Sequence, residues 1–183
     1  IVKAGLNLNS RPADGVRVYT YSGGEEGDFH VRNLRIGNGN IVFDFVTPTE
    51  CIGQIELGVP VRINVENGVA ALAVAWLNGV TAEEMRRGMA SFGGARRRFD
   101  YWIKQDDLVL IDDYAHHPDE LRASILSIRE LYPHRKLTVI FQPHLYSRTR
   151  DFAAGFARSL SLADEVILLD IYPAREKPIP GVT

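Results

Sequence analysis

Three short, mostly apolar runs punctuate the second half of the chain, at residues 108–111, 137–141 and 165–169. Each breaks off into polar residues, and stretches of helical periodicity separate them. Runs of four or five apolar residues are too short for helices and suit strands of a covered sheet. Between the first two, Leu121, Ile125 and Ile128 share one helical face. Pro118 suits the first turn of that helix, and Pro133 ends it. Between the second and third, Phe152, Phe156 and Leu160 align over residues 148–162. Strands alternating with helices of this length predict a parallel sheet with right-handed crossovers.

The first half has a different period. Residues 16–21, 29–36, 41–46 and 51–57 read as strands, and Gly37-Asn38-Gly39-Asn40 is a hairpin turn signal. Near Asn64 the spacing changes from two to 3.6. Val65, Val69, Leu72, Ala73, Trp76 and Leu77 then fall on one helical face, and Gly79 follows as a C-cap. Thr81-Ala82-Glu83-Glu84 has the form of a capping box opening a second helix, with Met85 and Met89 inward. Gly93-Gly94 and the basic cluster Arg96-Arg97-Arg98 mark a boundary. The expected organisation is α/β: a β-rich, two-helix domain over residues 1–95, then a Rossmann-like parallel-sheet domain over residues 96–183.

A net charge of -2 implies no general attraction to nucleic acid or an anionic membrane. No apolar run nears the roughly 20 residues of a membrane span. The single cysteine, Cys51, excludes an internal disulfide framework and fits a reducing, cytoplasmic setting. The chain opens on Ile1 and stops at Thr183 without a closing element, the expected look of a piece of something longer.

Parallel strands put their carboxyl ends on one side of a sheet, where open α/β folds bind ligands. The three ends here carry Asp112-Asp113-Tyr114-Ala115-His116-His117-Pro118-Asp119-Glu120, then Gln142-Pro143-His144-Leu145-Tyr146-Ser147-Arg148-Thr149-Arg150, then Asp170-Ile171-Tyr172-Pro173-Ala174-Arg175-Glu176-Lys177. They are expected to converge on one rim. Structural roles remain open: Asp112 or Asp113 can cap the helix that Pro118 begins, and His117 reads as a neighbour of that cap. Arg148 and Arg150 at a helix start oppose the helix dipole, which favours anion binding over a solvated face. An Asp at a strand end can hold a ribose hydroxyl pair.

Adjacent histidines rarely share one metal, and no HExxH spacing occurs, so no metal site is expected. No G-x-S-x-G elbow supports a hydrolytic triad. No G-x-x-x-x-G-K-[ST] loop occurs, because no Gly is followed by Lys. Whatever grips a triphosphate must come from outside this chain.

The Asp112 to Pro118 run, the Phe141 to Asp151 run and Tyr172-Pro173-Ala174-Arg175-Glu176 with Pro178-Ile179-Pro180-Gly181 together resemble the C-terminal domain of the Mur ligases. Arg97-Arg98-Phe99-Asp100 is similar to the linker into that domain. Pro60-Val61-Arg62-Ile63-Asn64-Val65-Glu66-Asn67 resembles a variant of the family's P-G-x-H-N-x-x-N helix start. The resemblance implies the latter part of a central ATP-binding domain followed by much of a C-terminal, amino-acid-binding domain. The UDP-binding domain and the phosphate loop would belong to the rest of the same polypeptide.

The family activates a carboxylate with ATP and Mg²⁺ to an acyl phosphate, which an amino-acid amine attacks. The second run points to the alanine-adding branch, with UDP-N-acetylmuramate and L-alanine as substrates. The resemblance places Asn64, Asn67, Arg98 and Asp113 at the nucleotide. Tyr114, His116, His144 and Arg148 face the amino acid and reacting carboxylate, with His116 and Arg148 closest to the chemistry. Two departures stand out: Ile63 and Val61 replace the family's His and Gly, and Leu145 stands where many relatives carry Arg. The rival readings are the branch that recycles a whole tripeptide and a non-catalytic nucleotide- or peptide-binding module. These 183 residues alone are expected to be inactive.

Overall fold

Two separate hydrophobic cores organise the computed structural model, one within Ile1–Gly94 and one within Ala95–Thr183. The structure describes residues 1–7 and 12–183, so positions 8–11 of the first expected domain lie outside the described residues.

In the first unit, β1 (Val2–Lys3) and β2 (Thr20–Tyr21) form a short parallel pair. The strand expected over residues 16–21 is therefore cut to its end. Val16 and Val18 are exposed, and an alternating segment with no sheet beside it has nothing to pack against. β3 (His30–Gly37), β4 (Asn40–Val46) and β5 (Cys51–Glu56) form an antiparallel sheet. Asn38 and Gly39 turn the first hairpin at φ 51° and 73°, the left-handed pair a tight two-residue turn requires.

The inner face of that sheet, including Ile41, Phe43, Phe45, Ile52 and Ile55, is buried. α1 (Ile63–Leu77) contributes Val65, Val69, Leu72 and Ala73 to the same core. Leu77 does not join them. It lies about 120° round the helix from Val65 and faces solvent. Trp76 packs edge-on against Phe29 at 5.5 Å and donates its indole N–H to Glu50 at 2.8 Å. α2 (Ala82–Ser91) opens with the expected box: Thr81 Oγ1 accepts from the Glu84 N–H, and the Glu84 carboxylate accepts from the Thr81 N–H. Met85 is buried and Met89 half-buried.

In the second unit the strand–helix–strand order holds, but the sheet is divided. β6 (Asp100–Lys104), which sequence periodicity does not flag, pairs antiparallel with β7 (Val109–Asp112). α3 (Pro118–Leu131) leads to β8 (Thr138–Phe141). α4 (Tyr146–Leu160) then crosses over to β9 (Glu165–Leu168), parallel to β8. Among the described residues no ladder joins β7 to β8, so the expected continuous three-stranded parallel sheet is two separate pairs. A cavity of about 580 Å³ lies where that ladder would run, lined by Leu110, Ser124, Ile128, Val139 and others.

The core of this unit joins Leu121 and Ile125 of α3, Phe156 and Leu160 of α4 and Phe141 of β8. Ile128 lines the cavity rather than joining this cluster, and Phe152 is 39% exposed. α3 and α4 meet closely where Gly155 lies against Pro118, and Ser159 Oγ donates to the Pro118 carbonyl at 2.8 Å.

Candidate functional site

The loops after β8 and β9 are tied to each other. Tyr172 N–H donates to the Pro143 carbonyl at 2.8 Å, and Leu145 N–H donates back to the Tyr172 carbonyl at 3.0 Å. The His144 ring stacks on Tyr172 with centroids 5.5 Å apart and planes 22° from parallel. One turn on, Arg148 brings Nη1 to 3.5 Å from His144 Nδ1. The guanidinium can only donate, so in this contact Arg148 is the donor and His144 Nδ1 the acceptor. Two of the three polar strand ends therefore meet, and they bring His144, Arg148 and Tyr172 together.

Arg148 is half-buried at the amino end of α4, and among the described residues it has no ion-pair partner. Arg150 differs: it is exposed and paired with Asp151 at 2.8 Å. The pair of arginines that looks equivalent in the sequence thus divides into a neutralised one and an available one.

The strand end after β7 forms a second cluster. Tyr114 N–H donates to the Arg97 carbonyl at 2.7 Å, and the Arg97 guanidinium sits 4.7 Å above the Tyr114 ring. Arg97 also lies 3.7 Å from the Asp112 carboxylate. Arg98, the neighbour singled out by the motif, is exposed. Tyr114 and His116 rings approach to 5.1 Å. His116 Nδ1 lies 2.9 Å from the Tyr114 carbonyl. A carbonyl only accepts, so Nδ1 is the donor in this contact.

Neither Asp112 nor Asp113 caps α3. His117 does so, its Nδ1 accepting from the Asp119 N–H at 3.3 Å. The Glu120 carboxylate accepts from the His116 and His117 N–H groups at 3.1 and 3.2 Å. These bonds, that of His116 first, hold the Glu120 carboxyl below its ordinary range. Asp113 is instead built into the unit: one oxygen accepts from the Phe99 N–H at 3.3 Å and the other from the Ser124 hydroxyl. The β7 end touches α4 through His117 and Phe152, edge-on at 4.9 Å. Arg97, Glu120 and Glu176 stand in the sequence runs without a supporting role, and Ser124 is not singled out there at all. Only the H-x-x-E spacing of Glu120 carried a readable capping signal.

Asn64 and Asn67 belong to the first unit. Asn64 donates to the Val59 carbonyl at 3.1 Å, and Asn67 donates to the Asn64 side chain at 3.3 Å. Just before them, at the start of α1, Ile63 is 63% exposed. Among the described residues no group of three His, Cys, Asp or Glu side chains is placed to hold a metal ion. No helix of the described residues is long and apolar enough to cross a membrane.

Residues 97–180 match the family described as Mur ligase, glutamate ligase domain. The UDP-N-acetylmuramate–L-alanine ligase of Parabacteroides distasonis is 64% identical over all 183 residues, and that of Phocaeicola vulgatus is 63% identical. The chain spans 40% of the length of each. Among solved structures, the UDP-N-acetylmuramate-alanine ligase of Thermotoga maritima superposes with a TM-score of 0.71 at 28% identity, covering 84% of this chain and 34% of that one. The folylpolyglutamate synthase of the same organism gives 0.71 at 18% identity over 91% of this chain and 38% of that one, a likeness of fold alone.

Proposed function

Because the chain belongs to the Mur ligase family, we propose that it is the amino-acid-binding part of an ATP-dependent ligase joining L-alanine to UDP-N-acetylmuramate in peptidoglycan biosynthesis. Residues 1–95 are then the end of the central ATP-binding domain, and residues 96–183 belong to the C-terminal ligase domain. The reaction uses water-soluble nucleotides and works in the cytoplasm. The observation that carries the reading is the half-buried Arg148, without an ion-pair partner among the described residues, beside His144.

A guanidinium held at a helix start, with no carboxylate of its own, is matched to a ligand carboxylate and can grip it through two parallel hydrogen bonds. L-alanine supplies that carboxylate. Its amine must shed a proton before it can attack the acyl phosphate, and the imidazole of His116, with Nδ1 tied to the Tyr114 carbonyl, is placed to help orient the amine. Tyr114 walls the same cluster. Asp113 is committed to Phe99 and Ser124, so any contact with a ribose is made by a carboxylate already fixed in place. Asn64, Asn67 and Arg98 complete the nucleotide side of the reading. Mg²⁺, held with the phosphates by other parts of the polypeptide, would neutralise charge developing on them.

The test is alanine-dependent ADP release by the full-length protein with UDP-N-acetylmuramate. Arg148→Ala should lower kcat/KM for alanine by about 30-fold or more, since truncating one partner of a buried charge pair costs about 2–5 kcal/mol. Unchanged alanine kinetics, or consumption of a tripeptide in place of alanine, would sink the proposal.

A further inference from the structure

α4 begins without help from its own sequence. Its N-cap is Leu145, held at φ 74°, a left-handed conformation that is uncommon for a residue with a Cβ. Leucine offers no oxygen to the free N–H groups, and the first turn contains no acid. Arg148 and Arg150 add positive charge where the helix dipole is already positive. Left alone, this helix start would fray, and the side chains it carries would lose their placement.

The missing acceptor arrives from 29 residues away. One Glu176 carboxylate oxygen accepts from the Ser147 N–H at 2.9 Å, and the other accepts from the Ser147 hydroxyl at 2.5 Å. Glu176 is folded back by a turn in which its N–H donates to the Pro173 carbonyl at 2.9 Å, with Ala174 at φ 49°. The same loop carries Tyr172, which stacks on His144 and exchanges backbone bonds with Pro143 and Leu145 on either side of it. Glu176 therefore fastens one end of the loop to α4, while Tyr172 fastens the other end to His144.

We propose that Glu176 is a positioning residue: by capping α4 from the loop after β9, it sets Arg148 and His144 against each other for the incoming amino acid. It touches no substrate itself. The inference rests on the reading of Arg148 as the alanine-carboxylate group, and its test is separable from that reading.

In the full-length enzyme, Glu176→Ala should raise the KM for alanine about 10-fold or more while the KM for ATP stays within twofold. Glu176→Gln keeps one oxygen acceptor for the Ser147 N–H and should recover most of the alanine affinity. Thermal unfolding of each variant, read alongside, separates positioning from general destabilisation. An unchanged alanine KM in Glu176→Ala overturns the inference. So does a uniform loss in which both KM values and kcat move together with Tm. If the wild-type enzyme shows no alanine-dependent turnover, it is the functional reading that fails, not the role of Glu176 in the helix start. That role would still appear as a lowered Tm in Glu176→Ala.

Discussion

The two units bury their sheets to different degrees. In Ile1–Gly94 the three-stranded sheet lays a full row of Phe and Ile side chains under α1 and α2, and Phe29, Phe43, Phe45 and Ile55 have no exposed surface. In Ala95–Thr183 both helices pack over one core, and much of the remaining sheet is open. Trp102 on β6 is 66% exposed, Ile140 on β8 is 62% exposed, and Leu168 on β9 is 65% exposed. Every residue of β9 faces solvent to a large extent. Sequence pattern alone does not distinguish these cases, since both units show apolar runs at strand spacing. Burial depends on what lies over the strand. In the second unit, hydrogen bonds and ring contacts in the loops after β7, β8 and β9 hold the side chains of the candidate site.

The strongest test of that contrast substitutes one large residue in each unit. Phe43→Ala should destabilise the chain by about 3–5 kcal/mol, the usual cost of removing a fully buried aromatic ring. Leu168→Ala, on a strand whose side chains are exposed, should change stability by no more than about 0.5 kcal/mol. Urea unfolding monitored by fluorescence measures both. A large cost at Leu168 would mean that β9 is covered, and the contrast between the units would fail.

Much of the architecture was readable because its signals are local. The Asn38-Gly39 turn, the Thr81 to Glu84 box and the buried pairs Leu121/Ile125 and Phe156/Leu160 each depend on residues within one or two turns of one another. What escaped was tertiary. β6 is five residues long and takes its partner from the next strand, so its own period is too brief to register. The gap between β7 and β8 cannot be seen from strand spacing, because each strand looks the same paired or unpaired. In the site, the motif drew attention to Arg98, while it is Arg97 that packs on Tyr114 and Asp112. Nothing near Ser147 announces an acid 29 residues later. His144 and Arg148 were named through the family resemblance, while their approach across the start of α4 was not read from their spacing.

A smaller effect separates two close glycine contacts, one in each unit. A Cβ at Gly58 would lie 2.7 Å from the Ala90 carbonyl oxygen and 3.1 Å from that of Met89, both backbone atoms at the end of α2. Backbone acceptors fixed by a helix end cannot step aside, so Gly58→Ala should cost about 1–3 kcal/mol. At Gly155 a Cβ would meet Pro118 Cγ at 2.8 Å. Gly155 sits inside α4, however, where alanine is favoured over glycine by about 1 kcal/mol. The net cost at Gly155 should therefore be the smaller, while the His117–Phe152 contact beside it opens. Thermal unfolding ranks the two. A larger loss at Gly155 would show that the α3–α4 contact is as tightly packed as the first core.

The smallest expected effect is confined to acid. Asp164 accepts from the Leu137 N–H at 2.7 Å and pairs with Arg129 at 2.9 Å, and the Arg129 contact first holds its carboxyl down to about 2. Its ordinary value is 3.8. A carboxylate held lower in the folded state contributes stability that is fully present above the unfolded value. That contribution disappears as pH falls through the folded value. Asp164→Asn removes the titration, so the stability difference between wild type and variant should be flat above about pH 5 and shrink between about pH 4 and pH 2. The pair is surface-accessible and screened by salt, so added salt should compress the difference further. Phe43→Ala involves no titrating group, and its deficit should not vary over the same range. A pH-independent deficit for Asp164→Asn would mean that the side chain acts by packing, as the residues of the first unit do. The second unit would then owe less to polar ties than its geometry implies.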